Sequence, residues 1–526
     1  MSVSFNLVDE PWIPVLWVDG KPCREGIKGA LTRAGTIRQI AASNPMDNVA
    51  LLRLLLAVLQ WCKPEVRRDE LDKLREGGAR GMPEEWLKKL EASKAKFELL
   101  GNGERFYQAI SQANETPRWK AADLFADLPG GTEINHFRHV CDRSVALCPA
   151  CCVLGLVQLT ACATAGGSGL SPSINNAPPI YFVPVGDTLL ETLVLNWPME
   201  SADNDHPAWE EGKCSSRNIG ILEGLTWQPR AIWLGTPVQE GDGSCARCGA
   251  TGLLVSRLVF KKGRRRADDS RDWRDPHLAW DEHSEKDDKA LRGPDPLQYS
   301  QAAAVLWRKE VRAILESLDP SNNHPSIPAV AQAINRVPQH APLRISCFEP
   351  FTKPGQKKWF DEDGHMWRIA SGLLRSTDLP RRALAELDWL GRLRPDKMLS
   401  QALRRNAKQR PDVRAALADA AAQREGLLRN RFQQLLEELA RADGDEATRW
   451  CMEDWRTDVK TALLEELSQA CGVIAPGSPL RRREAVRAVE HELDKAVKKA
   501  AADEAIRSSP HDAAKPKRRR GKGGES

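Results

Sequence analysis

The sequence predicts an α+β protein, with a large mixed α/β N-terminal domain followed by a C-terminal antiparallel four-helix bundle. Three observations predict it. Strand-like and helix-like segments alternate up to about residue 372. Past Gly372 the chain is dominated by Ala, Leu, Arg and Glu, and strand formers nearly vanish. Two Cys-x-x-Cys pairs, Cys148/Cys151 and Cys245/Cys248, stand far apart within the first region and can join distant segments around one metal ion. At 526 residues the chain exceeds one ordinary core. The expected division is residues 1–372, a helical region 373–508, and a basic tail 509–526 with no reason to fold.

Taken in order, Phe5 to Val18 reads as extended and runs into Asp19-Gly20, a hairpin turn signal. Asp47 or Asn48 then caps a helix whose Leu51, Leu52, Leu54, Leu55, Val58 and Leu59 make a wide apolar face. Glu84 to Leu99 reads as a second helix, and Thr132 to Asp142 as a loop. Cys151 to Ala165 is apolar enough for a buried helix stopped by Gly166-Gly167. Ile180 to Val185 reads as a strand, Thr188 to Asn196 as strand or helix, and Leu225 to Leu234 as a strand pair broken by a turn. Leu253 to Phe260 alternates like a strand and delivers the basic run Lys261 to Arg266. Asp268 to Pro296 is an acidic surface loop. Helices are expected over Tyr299 to Leu318 and Ile327 to Val337, then a strand over Leu343 to Phe348 and a loop over Glu349 to Lys358. Four helical segments follow near 396–409, 411–441, 445–470 and 480–506, and their short connections favour an antiparallel bundle.

Composition narrows the function. The 41% hydrophobic and 28% charged residues are those of a folded, water-soluble chain. A net charge of only +5 means that any nucleic-acid surface is local. No stretch reaches the roughly 18 uninterrupted apolar residues of a membrane span, because the closest, Ala50 to Trp61, is broken by Arg53 and Gln60. The expected location is the cytoplasm, with no membrane partner. There, 13 cysteines argue for metal ligands or buried thiols rather than disulfides.

The paired knuckles are the strongest motif. Cys148, Cys151, Cys245 and Cys248 can place four thiolates tetrahedrally around Zn2+ at about 2.3 Å, which leaves no open position and makes the zinc structural. Cys141, Cys152 and Cys162 lie close enough in sequence to compete. The Gly166 to Gly169 loop is either a helix stop or a backbone able to approach nucleic acid closely. The run Lys261 to Arg266 is either a solvated hairpin end or a phosphate contact. No P-loop, zincin or nucleophile-elbow motif occurs, and His491-Glu492 lacks the second histidine of a zincin, so no catalytic constellation is found.

Several residues together carry a family resemblance. The opening Phe5 to Val15, the Leu-rich helix at 51–59, the glycine loop, Gly224-Leu225-Thr226-Trp227-Gln228-Pro229 and Trp273-Arg274-Asp275-Pro276-His277 occur in an order that resembles the large subunit of type I-E CRISPR Cascade, the CasA family, from residue 5 to about 505. The resemblance implies a non-catalytic subunit of an RNA-guided antiviral complex. Its partners would be other Cascade subunits, crRNA, target double-stranded DNA and a transiently recruited helicase-nuclease. It would recognise the protospacer-adjacent motif from the minor groove and help open the duplex for R-loop formation.

By position, Gly166, Gly167, Ser168 and Gly169 resemble the family's glycine loop, and Lys261, Lys262 or Arg264 its lysine finger, with Lys262 favoured. Lys353, Pro354, Gly355 and Gln356 resemble the wedge inserted below the motif, and Asn135, His136, Phe137 and Arg138 the loop touching the crRNA handle. The rival readings are a zinc-containing nucleic-acid enzyme, such as a nuclease, and a zinc-stabilised protein scaffold.

Overall fold

The chain divides after Leu374 into two units, Met1–Leu374 and Arg375–Ser526. The computed structural model describes residues 3–101, 103–125, 146–163, 170–175, 179–198, 205–210, 219–265, 273–281, 289–290, 306–319, 327–350, 362–404, 410–474 and 477–507.

The first unit begins with β1 (Ile13–Trp17), β2 (Pro22–Glu25), α1 (Ile27–Thr32) and β3 (Ile37–Ile40), the strands forming an antiparallel sheet in the order β2-β1-β3. The Asp19-Gly20 turn sets the register of β1 on β2. Gly20 sits at φ +87°, and the Lys21 N–H donates to Asp19 Oδ1 at 3.0 Å.

α2 (Pro45–Cys62) is buried on nearly every side and packs on other helices of the unit, so its apolar residues run all round rather than along one stripe. By length and composition α2 could cross a membrane, yet 83% of it is buried inside the fold. The cap is Asn44, not Asp47 or Asn48: Asn44 Oδ1 accepts the Met46 N–H at 2.7 Å, and Pro45 fills the first turn, where a missing N–H costs nothing. Asn48 instead accepts from the Ala42 N–H, while Asp47 turns inward to Gln158 and Arg247.

After α3 (Arg68–Glu76), the single helix expected over Glu84–Leu99 is broken into a 3-10 turn, the short α4 (Lys88–Ala92) and a second 3-10 turn, Lys94–Phe97. Tertiary pairing ends it: Leu7 N–H donates to Phe97 O and Leu99 N–H to Phe5 O, both at 3.0 Å, and a helix cannot present those groups sideways.

β4 (Trp119–Lys120) and α5 (Pro149–Cys162) follow, with α5 packed on α2. Next come β5 (Tyr181–Val185) and α6 (Leu189–Leu195), a helix because Thr188 Oγ1 caps the Glu191 N–H at 3.2 Å. The strand pair expected over Leu225–Leu234 is instead the end of α7 (Ile221–Leu225) followed by β6 (Arg230–Leu234). Asp205, distant in sequence, makes that helix start by accepting the Leu222 and Glu223 N–H groups at 2.7 and 3.0 Å.

β7 (Val238–Ser244) and β8 (Thr251–Leu254) form a hairpin carrying the second cysteine pair. Leu253–Phe260 is two strands rather than one, because Val255 leaves β8 to bridge Leu147 before β9 (Arg257–Lys262) begins. β9 lies between β4 and β6, with Arg230 opposite Lys262. The two-residue strands β10 (Trp280–Asp281) and β11 (Lys289–Ala290) pair with each other, and α8 (Leu306–Ser317) and α9 (Pro328–Ile334) follow. β12 (Leu343–Pro350) pairs with β5 and β13 (Glu362–Ile369), and α10 (Ser371–Leu374) ends the unit.

The second unit is helical throughout its described residues: α11 (Leu379–Arg392), α12 (Pro395–Ala402), α13 (Arg410–Arg441), α14 (Gly444–Ile474) and α15 (Pro479–Arg507). α11 is additional to the four expected segments. Arg382, Glu386 and Asp388 interrupt its apolar run, and the Arg456 guanidinium meets the buried Glu386. Phe432 and Trp455 meet edge to face at 5.2 Å in the core of this unit.

Candidate metal centre and nucleic-acid interface

Two backbone devices bring the cysteine pairs together. Leu147 and Val255 exchange both hydrogen bonds of a bridge, Leu147 N–H to Val255 O at 2.9 Å and the reverse at 2.8 Å, so the start of α5 lies against the β7-β8 hairpin. Ala246 N–H then donates to Ala146 O at 3.0 Å. Cys148 is the N-cap of α5, with Pro149 in the first turn, and Cys151 lies one turn on. In the second knuckle, Gly249 takes φ +73°, which an L side chain rarely adopts, and its N–H closes the turn on Cys245 O at 2.8 Å.

The Sγ atoms of Cys148, Cys151, Cys245 and Cys248 all lie within 4.8 Å of one another, with Cys148 and Cys248 at 3.6 Å. A tetrahedral zinc with 2.3 Å bonds requires edges of about 3.8 Å, so the set fits a metal ion without rearrangement of the backbone. Cys152 faces away, its Sγ directed to Leu147 O at 3.8 Å, and Cys162 ends the same helix three turns later. Cys141 lies outside the described residues.

Crowding of four thiols has an electrostatic signature. Hydrogen bonds from Cys148 and Cys151 hold the Cys245 thiol well below its ordinary pKa. Hydrogen bonds with Cys148 and Cys245, together with burial, push Cys151 well above. Four thiols this close disfavour several thiolates together unless a cation sits among them. Arg24 of β2 is the neighbouring positive charge, its own pKa raised by a hydrogen bond with Cys248.

The basic run at the end of β9 splits three ways. Lys261 is exposed and ion-paired with Glu115. Lys262 is exposed and, among the described residues, has no carboxylate partner. Arg264 turns inward, pairs with Glu223 of α7 and stacks on the Trp227 ring at 4.2 Å. Backbone position explains the split, since Arg264 N–H is tied to Gln228 O at 2.8 Å and so faces the Trp227-Gln228-Pro229 segment. The glycine-loop residues Gly166 to Gly169, the Lys353 to Gln356 stretch and Asn135 to Arg138 all lie outside the described residues.

The first unit also holds a buried polar network that spacing alone did not single out. Arg53 of α2 pairs with Asp275, both side chains 1% exposed or less. Asp275 also accepts from Asn175 Nδ2 at 2.9 Å and from the His277 N–H at 3.0 Å, and Trp273 Nε1 donates to Asn175 Oδ1 at 2.8 Å. Burial alone would raise the Asp275 pKa, but the Arg53 charge, His277 and the Asn175 hydrogen bond outweigh it and hold the carboxyl below its usual range. The sequence signal was Arg53 itself, a charge in an otherwise apolar helix, which demands a buried partner. The network also explains why Gly224 and Trp273 occur together: a Cβ on Gly224 would fall 2.0 Å from Trp273 Cζ3.

Comparison with known proteins places this geometry in context. Residues 6–466 match the family model described as CRISPR-associated protein Cse1. The curated CRISPR-associated protein CasA/Cse1 of Thermus thermophilus is 32% identical over 263 residues, covering 46% of this chain, so the match spans half the length of that relative. The crystal structure of Thermobifida fusca Cse1 superposes with a TM-score of 0.71 at 20% identity, covering 95% of this chain and 98% of that one. A chain of a CRISPR RNA-guided surveillance complex superposes with a TM-score of 0.67 at 16% identity, covering 93% and 99%. With a family model spanning most of its length and the same fold in solved members, the chain belongs to the CRISPR-associated Cse1 family, the CasA large subunits.

Proposed function

We propose that this chain is the non-catalytic large subunit of a type I-E Cascade complex, assembling with the other Cascade subunits and crRNA and sensing the protospacer-adjacent motif in double-stranded DNA. The observation that carries the reading is Lys262, exposed and unneutralised at the end of β9 in a chain of modest net charge. A lone cation suits a minor groove, whose degenerate pattern a lysine and backbone amides can sense without a full base code. Sequence is then read by guide pairing, and the protein licenses where pairing starts.

Gly166 to Gly169 would supply the amides and Lys353 to Gln356 the wedge, which must offset unstacking of a few kcal/mol per step. Asn135 to Arg138 would meet the crRNA handle. The four-sulfur set would hold zinc and lock the β7-β8 hairpin to α5, a structural role, since four thiolates leave no position for substrate. The helical second unit would correspond to the family's four-helix bundle, and the helicase-nuclease would be recruited transiently by the assembled complex.

The test uses the assembled, crRNA-loaded complex. Lys262→Ala should weaken binding to motif-bearing duplexes by about tenfold while crRNA copurifies unchanged. Equal binding by variant and wild type rejects the assignment.

A further inference from the structure

A cavity of about 310 Å³ opens beside the end of β9, lined in part by Gly263 and Arg264. That volume lies at the lower end of the range of small-ligand sites. One wall is aromatic: Phe106 and Tyr107 stack at 4.1 Å with 21° between their planes, and Phe106 and Trp209 at 5.9 Å with 28°. All three rings are buried, and Tyr107 and Trp209 keep 7% and 8% of their surface exposed.

Three further features call for a ligand that is planar, accepting and anionic. Trp209 is only 8% exposed, and its indole N–H is buried without an acceptor. Tyr107 is held at φ +56°, a conformation unusual for a bulky residue and typical of positions that the surrounding fold forces for a purpose. Of the cations in the lining, Arg264 is paired with Glu223, and the carboxylates of Glu104 and Glu210 also line the cavity. Arg105 gives its donors to Gly101 O and Leu234 O and lies over the Trp233 ring at 4.2 Å, while half-exposed Lys96 forms no ion pair among the described residues. Glu210, also in the lining, is already met by Trp61 Nε1 at 2.6 Å and Lys89 at 3.7 Å.

We infer that this cavity binds one unpaired nucleotide, its base against the Tyr107 and Trp209 rings and its phosphate held by Lys96. A base carbonyl or ring nitrogen supplies the acceptor that the indole N–H lacks. Stacking on aromatic rings within a cationic surround is how proteins hold single strands with little sequence preference. The inference deepens the reading of the chain as a DNA-sensing subunit, and the same chemistry would also take a free mononucleotide.

The experiment titrates the full-length chain with a short, fluorescently labelled oligothymidylate. Lys96→Glu, a surface change, and Tyr107→Gly, which removes the ring while suiting the positive φ, should each weaken binding about fivefold or more, with thermal melting showing that each variant is folded. Displacement by millimolar thymidine monophosphate supports the site with a free nucleotide as ligand, and persistence of the oligonucleotide supports a strand. Wild-type affinity in folded Lys96→Glu, or no binding of either probe by the wild type, overturns the inference. The probe contains no duplex and no motif, so this failure and failure of the Lys262 test are separate results.

Discussion

The carboxylate of Asp47, in the first turn of α2, and the guanidinium of Arg247, between the cysteines of the second knuckle, form an ion pair whose side chains are 1% and 8% exposed. The other Asp47 oxygen accepts from Gln158 Nε2 of α5 at 3.1 Å, and α5 begins at the first knuckle. One buried carboxylate on the core helix therefore holds both halves of the sulfur cluster. Arg247 also covers the Phe125 ring at 3.7 Å, so its fork is fixed on two sides.

Breaking this pair from one side leaves a carboxylate buried without its cation. Arg247→Ala should therefore lower the unfolding free energy of the N-terminal unit by about 3–5 kcal/mol, measured by urea titration. The double variant Asp47→Asn with Arg247→Met should recover part of that loss, because no isolated charge remains.

Metal content separates the thiols. Cys245→Ser should lose the bound zinc by elemental analysis, and a chelator should lower the melting temperature of the wild type but not of this variant. Cys152→Ser should keep its zinc, since that sulfur faces Leu147 O rather than the cluster.

Gly224→Ala probes the packing of the Trp-Gln-Pro and Trp-Arg-Asp-Pro-His segments. The added Cβ would meet the Trp273 ring at 2.0 Å, so the ring or α7 must shift. The expected cost is about 1–3 kcal/mol, read from thermal melts together with a changed tryptophan emission.

His277 gives the first unit a pH dependence. Burial disfavours its imidazolium, Arg53 adds to the effect and Asp275 opposes it, and the folded pKa lies below 6.5. The unfolded chain then takes up this proton near pH 6.5 and the folded chain only at lower pH. Below that point the unfolded state binds more protons, so stability falls as pH drops. Melting temperature followed between about pH 7 and 5 should decline less steeply in His277→Gln than in the wild type.

Local signals in the sequence carried well where one segment decides its own state. The run of leucines from Leu51 to Leu59 forms a buried helix, and Asp19-Gly20 turns a hairpin, because periodicity and turn chemistry act within a few residues. The helical character past Gly372 was legible for the same reason, although α11 was not, since its burial of Glu386 depends on Arg456 in another helix.

The candidate interface was half legible. The stretch Lys261-Lys262-Gly263-Arg264 reads as one block of charge, yet its three side chains have three fates, decided by Glu115, by open solvent and by Glu223. The aromatic wall of Phe106, Tyr107 and Trp209 carried no periodic signal, because Trp209 comes from a segment distant from the adjacent Phe106 and Tyr107.

By itself, the sequence determined the spacing of the cysteines, the apolar run of α2 and the position of the basic residues, all properties of neighbours along the chain. Only the tertiary structure decided which charges are neutralised and where helices begin and end. Asn44 caps α2 in place of Asp47 because Arg247, 200 residues away, claims that carboxylate, and burying a charge is tolerable only where a partner from elsewhere in the fold meets it.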